Sequence, residues 1–150
     1  ANVVQNLLNA GLLDRGLIVA EGYDYEIIQK MNHPCDDYNL LVTLKANGTV
    51  EKTIIGSVVE SLTVDSGNEK DWVRLKEIFA KDSLQMASFT ITEKGYSLVN
   101  GKGDYLPGVP EDLANGPETA VSYMGKVTAL VYSRYKKKKK PIAIVSMDNC

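Results

Sequence analysis

Histidine is nearly absent from these 150 residues, His33 being the single one, and there are only two cysteines, Cys35 and Cys150. Two cysteines cannot build a disulfide framework, and without paired spacing they do not suggest a zinc site; they read as a half-buried thiol and a chain-end thiol. One histidine, held in Asn32-His33-Pro34 where the proline favours an extended backbone, reads as a surface loop residue. Chemistry built on a Ser-His or Cys-His pair is therefore disfavoured. No apolar run approaches the roughly 18 residues that a membrane helix needs, and no basic stretch followed by an apolar segment opens the chain. A cytoplasmic location without membrane contact is expected. Charge of one sign is also missing: 17 basic and 19 acidic residues leave a net charge of -2, so no global field exists to hold a nucleic acid.

What remains is ordinary globular material, 44% hydrophobic and 24% charged, and enough for one domain with a core. Val3, Val4, Leu7, Leu8 and Leu12 recur at helical spacing, so residues 2 to 14 are expected to form an amphipathic helix bracketed by Gly11 and Gly16. Leu17-Ile18-Val19-Ala20 follows as a strand buried on both faces, ending in Glu21-Gly22. A short polar helix is expected from Tyr25 to Lys30, before His33-Pro34 stops it. Residues 40 to 45 and 50 to 64 flank Asn47-Gly48, the strongest local hairpin signal.

Trp72, Leu75, Ile78 and Phe79 form the core stripe of a helix from Asp71 to Ala80, and Met86 to Thr92 reads as another buried strand ending in Glu93-Lys94-Gly95-Tyr96. Glycines and prolines between Asn100 and Asn115 mark an irregular, mobile connection. The longest helix is expected from Pro117 to about residue 135, with Ala120, Val121, Met124, Val127, Thr128 and Val131 on its buried stripe. It runs out in Lys136 to Lys140, which reads as a solvated helix end favoured by the backbone dipole; a phosphate or RNA site is the weaker alternative. Residues 141 to 145 form a third buried strand, breaking off at Ser146-Met147-Asp148-Asn149.

Helix alternating with buried strand predicts an α/β fold. The strands beginning near Leu17, Met86 and Ile142 are expected in one mostly parallel sheet, covered by helices 2 to 14 and 117 to 135, with the hairpin projecting from it or extending it. Their polar ends would then line one crevice, since ligands bind outside the carboxyl ends of such strands. In a dinucleotide fold an acid at the end of the second strand accepts from the adenosine ribose and favours NAD over NADP. Glu21 stands in that position and Asp24 is its rival, the other reading being an exposed acid or a helix cap. The glycine-rich phosphate loop that should precede the first helix is absent.

Three segments carry a resemblance. Ile91-Thr92-Glu93-Lys94-Gly95-Tyr96 resembles the TxTEKGY segment of the long-chain mannitol dehydrogenase family, which includes mannitol 2-dehydrogenase, fructuronate reductase and tagaturonate reductase. Val145-Ser146-Met147-Asp148-Asn149-Cys150 is similar to that family's S-C-D-N segment, and Ile55-Gly56-Ser57-Val58 to its I-G-S-I segment, in the same order and with similar spacing. The resemblance implies a partial Rossmann-like domain with a β-hairpin insertion, lacking the first strand with its glycine loop and the following substrate domain. It implies NAD as cofactor and hydride transfer between a polyol or sugar acid and its keto form, with Thr92, Glu93, Lys94, Ser146 and Asp148 beside the cofactor. Asn149 matches the family's DN asparagine, implied to border the reacting carbinol or the nicotinamide; a neutral amide there can donate to a developing alkoxide. The other reading of Asn149 is a polar residue that satisfies the strand terminus. The catalytic lysine, with its accompanying Asn and His, is expected outside this chain. A non-catalytic nucleotide-binding or protein-interaction module is the alternative from a different class.

Overall fold

The computed structural model describes residues 1–91, 93–138 and 140–148, with only the backbone course at 93, 94 and 138. The chain divides into two compact units, Ala1–Thr63 and Val64–Cys150, and each is an α/β unit with its own parallel strand pair.

In the first unit, helix α1 (Asn2–Asn9) leads to strand β1 (Leu17–Glu21). The helix ends well before residue 14, because Gly11 takes φ +68° and the Leu12 amide turns back to the Leu7 carbonyl. β1 pairs in parallel with β4 (Val58–Thr63), from Leu17 opposite Val58 to Glu21 opposite Thr63. Gly16 lets these strands converge: a Cβ there would stand 2.5 Å from Val59 Cγ1 and 2.6 Å from the Ser57 carbonyl oxygen. The Ser57 carbonyl takes the Leu17 amide at 2.8 Å, and its hydroxyl donates to the Ala1 carbonyl at 2.9 Å.

A hairpin of β2 (Asn39–Leu44) and β3 (Val50–Ile55) forms as expected, with Leu44 opposite Val50 and Gly48 at φ +82° in its turn. It stands as its own antiparallel sheet. Its exposed side chains include Leu40 opposite Ile54 and Leu44 opposite Val50. The expected hairpin arm over residues 50 to 64 is two strands, because the chain breaks at Gly56-Ser57 and continues into a different sheet. Between β1 and β2, helical turns span Tyr25 to Asn32 and then His33–Cys35, with Ile28 fully buried. His33 is thus in a 3-10 turn rather than an extended loop, and its Nε2 donates to the Ser61 carbonyl at 3.0 Å. Cys35 is exposed, not half-buried.

The second unit opens with α2 (Glu69–Phe79), capped by Asn68, whose side chain accepts from the Asp71 amide. Trp72, Leu75, Ile78 and Phe79 are all buried, as their spacing requires. β5 (Met86–Phe89) and β6 (Ala143–Ser146) pair in parallel, Phe89 opposite Ser146. Their last described main-chain tie runs from the Met147 amide to the Phe89 carbonyl at 2.9 Å.

The glycine-rich connection is more ordered in form than expected. It holds α3 (Val109–Asn115), between Gly108 at φ +84° and Gly116 at φ +77°. The long helix is shorter than expected, α4 (Tyr123–Lys138), preceded by a separate turn over Pro117–Thr119. The Asp112 carboxylate causes this break by taking the amides of Val121 at 2.6 Å and Ser122 at 2.9 Å. The buried face of α4 carries Lys126, Ala129, Leu130 and Arg134, while Val121 and Thr128 are exposed. This rotation follows from Arg134, 2% exposed, whose guanidinium donates to the carbonyls of Phe79, Lys81, Leu84, Lys140 and Pro141. One side chain thereby gathers the end of α2 and the approaches to both β5 and β6.

The expectation of a single sheet is corrected. β1 has its ladder with β4 and β5 with β6, and no ladder among the described residues joins β1 to β5 or β6. β4, taken from the sequence as hairpin, is the parallel partner that β1 finds. Nor are β1, β5 and β6 fully buried; their residues are half-buried or exposed. Among the described residues no helix is long and apolar enough to cross a membrane.

Candidate functional site

Because β5 and β6 run parallel with Phe89 beside Ser146, the chain leaves both strands on the same side and at the same level. That is the edge at which open parallel sheets bind ligands. After β5, a 3-10 turn over Glu93–Tyr96 folds the chain back; Gly95 permits it, since a Cβ there would lie 3.1 Å from Ile91 Cβ. The turn delivers Tyr96 to the residues that follow β6. Its hydroxyl lies 2.9 Å from Ser146 Oγ and donates to Asp148 Oδ2 at 2.5 Å. A phenol has one proton, and with that proton given to Asp148 the Ser146 hydroxyl is the donor in the other bond. The hydrogen bond to Asp148 holds the Tyr96 phenol above its ordinary value of 10.0, while Ser146 and the Ile91 backbone act in the opposite sense.

Of the residues expected beside a cofactor in this unit, Ser146 and Asp148 are therefore brought together on one phenol oxygen. Glu93 and Lys94 supply the first two positions of the turn that positions it. Thr92 and Asn149 lie outside the described residues. Tyr96 was not among the expected site residues. The signal that could have found it is its place as the closing residue of the Glu93-Lys94-Gly95-Tyr96 segment. Of the lysine run, Lys136 lies near Glu118 at 4.0 Å and Lys140 is paired with Asp82 at 2.8 Å, while Lys139 lies outside the described residues.

In the first unit, Glu21 ends β1, as expected for an acid at a strand terminus. Its Oε1 accepts the amides of Tyr23 at 2.8 Å and Asp24 at 3.2 Å, so the carboxylate is anchored by the turn that it closes. Asp24 in turn accepts the Glu26 amide at 3.2 Å, which makes it the cap of the following helical turns. The two acids thus differ: Glu21 faces the turn at the strand end, and Asp24 serves the helix. An open apolar groove of about 330 Å³ in this unit is lined by Val19, Ile27, Leu41 and Ile55 among others, and by neither acid. Among the described residues no cluster of His, Cys, Asp and Glu could hold a metal ion.

No family model matches the chain. It is 49% identical over 149 residues to D-mannonate oxidoreductase of Thermotoga maritima, a match that takes in 99% of this chain and 28% of that protein. Among solved structures it is similar to Pseudomonas fluorescens mannitol 2-dehydrogenase in ternary complex with NAD and D-mannitol, with a TM-score of 0.77 and 24% identity over 98% of this chain and 30% of that one. It is also similar to D-sorbitol dehydrogenase in substrate-free form, with a TM-score of 0.74 and 22% identity over 97% of this chain and 30% of that one. The chain therefore spans less than a third of the length of these relatives, and the solved structures establish its Rossmann-like fold.

Proposed function

We propose that the chain belongs, over the segment it covers, to the family of D-mannonate oxidoreductase and the long-chain mannitol dehydrogenases, and that it is the cofactor-binding part of an NAD-dependent oxidoreductase interconverting a polyol or sugar acid with its keto form. The proposed domain is partial: the first strand with its glycine loop and the substrate domain lie outside these residues, in keeping with the 28% share of the relative that is matched. A cytoplasmic enzyme acting on a small molecule is the corresponding setting.

The observation that carries this reading is the polar edge at the ends of β5 and β6, where Tyr96 joins Ser146 to Asp148. Such an edge suits a ligand rich in hydroxyl and amide groups, as a dinucleotide is, and in the other unit the anchored carboxylate of Glu21 suits a ribose diol. NAD, when bound, supplies the hydride acceptor. Glu21 would accept from the adenosine ribose, with Asp24 supporting the turn. Thr92, Glu93, Lys94, Ser146 and Asp148 would border the nicotinamide side. Asn149 would donate to the alkoxide that develops on the reacting carbinol, stabilising charge where it forms. The proton itself goes to a base outside this chain.

The test compares the complete polypeptide with the isolated 150 residues in NADH formation from mannitol and NADH oxidation with fructose, fructuronate and tagaturonate. Turnover of one of these by the complete polypeptide and none by the isolated chain is expected, because the isolated chain lacks both cofactor positioning and the base. Robust turnover by the isolated chain overturns the partial-domain reading; no turnover by the complete polypeptide overturns the activity.

A further inference from the structure

Two polar side chains from the end of β6 and the residues after it converge on one oxygen carried by the turn after β5. The Tyr96 hydroxyl donates to Asp148 and accepts from Ser146, while the residue remains 36% exposed. The β5–β6 ladder ties the two segments together as far as the Met147 amide and the Phe89 carbonyl; beyond that bond, the tyrosine continues the connection through side chains. Its ring is too exposed to be explained as core. Its proton is committed to Asp148, so the phenol is poorly suited to accept one from a substrate.

Resting on the proposed oxidoreductase reading, we propose that Tyr96 is a positioning residue of the reaction: its phenol oxygen clamps the turn after β5 to the chain leaving β6, holding Asp148 in place beside the cofactor. Removing the hydroxyl leaves the strands paired but frees the two segments from each other. Misplacement on the scale of an ångström at such a position costs turnover far more than it costs binding.

The experiment uses the complete polypeptide with Tyr96→Phe, Asp148→Asn and the double variant. For Tyr96→Phe, a fall in kcat of about tenfold or more is expected, with affinity for NADH, read from its bound fluorescence, within about threefold of the parent. The double variant should fall no further than Asp148→Asn, since the tyrosine acts through the aspartate. Should Tyr96→Phe reduce the folded fraction, Asp148→Asn alone weakens the same clamp without touching the ring, and a fall in kcat of about tenfold or more is expected. A kcat within about twofold of the parent for Tyr96→Phe, multiplicative losses in the double variant, or parallel losses of kcat and NADH binding overturn the proposal. With an active parent, those results overturn this proposal alone; a parent without NAD-linked turnover of any polyol or sugar acid overturns the proposed function and this inference with it.

Discussion

Nη1 of Arg134 donates to the carbonyl of Phe79 at 2.6 Å, joining the last turn of α4 to the C-terminus of α2. The same guanidinium serves Lys81, Leu84, Lys140 and Pro141, so it organises the starts of both strands whose far ends carry the polar edge. Replacing it with methionine leaves several carbonyls without their donor, and a loss of about 3 to 4 kcal/mol is expected. Arg134→Lys should recover little, because an ammonium cannot reproduce the planar fork of donors. Denaturant midpoints of the complete protein, with hydrogen exchange followed at Met86 to Phe89, check both; a loss below about 1 kcal/mol for methionine would show that the carbonyls find other donors.

Asp112 holds the start of α4 from outside the helix, taking the amides of Val121 and Ser122 and the Ser122 hydroxyl. An anion at a helix N-terminus also meets the favourable end of its dipole. Asp112→Ala is expected to cost about 1 to 2 kcal/mol, as loss of a strong cap does. Gly125→Ala should be at least as damaging, since its Cβ would fall 2.0 Å from Asp112 Oδ2. Thermal unfolding of each variant measures the effect, and an unshifted midpoint for Asp112→Ala would remove the carboxylate from the capping role.

Cofactor choice should follow Glu21. A hydrogen bond to a charged group contributes about 1.5 to 3 kcal/mol, so on the proposed function the complete polypeptide is expected to prefer NAD over NADP by about tenfold to several hundredfold. Glu21→Ser should erode that preference by weakening NAD and relieving repulsion of the 2′-phosphate. Asp24→Ser should mainly loosen the helical turn that Asp24 caps. Steady-state kinetics with both cofactors separates the two, and an unchanged ratio in both variants takes the pair out of the cofactor site.

The raised Tyr96 titration sets an alkaline limit. A group whose folded pKa lies above its unfolded value contributes stability that is complete below the unfolded value, here 10.0, and is lost as pH rises through the folded one. The tyrosinate absorbance difference between the parent and Tyr96→Phe should therefore appear above pH 10, and Asp148→Asn should move it down. A Tyr96 component at or below the ordinary tyrosine value would contradict the hydrogen bond to Asp148.

Local periodicity made part of this fold legible. The α2 stripe from Trp72 to Phe79 and the Asn47-Gly48 turn depend on neighbours a few residues away, and both stand as read. β4 was hidden because parallel pairing joins Leu17 to Val58 across a long excursion that leaves no local mark. The face of α4 was misjudged because two of its buried members, Lys126 and Arg134, are charged, and an apolar stripe cannot include them. That Glu21 ends a strand was legible from its place after Leu17-Ile18-Val19-Ala20. Tyr96 was not, since its partners Ser146 and Asp148 lie about fifty residues further on and meet it only once β5 and β6 are side by side.

The hairpin has a bearing on how these residues behave in solution. Leu40, Leu44 and Ile54, at 60%, 76% and 69% exposure, put an aliphatic strip on a lone two-stranded ribbon whose outer edges invite strand addition. The ion pair between Lys45 and Glu51 beside the turn sets fixed charge against that tendency. Self-association of the isolated chain should accordingly begin at the hairpin, and a lysine in place of Leu44 would keep it dispersed.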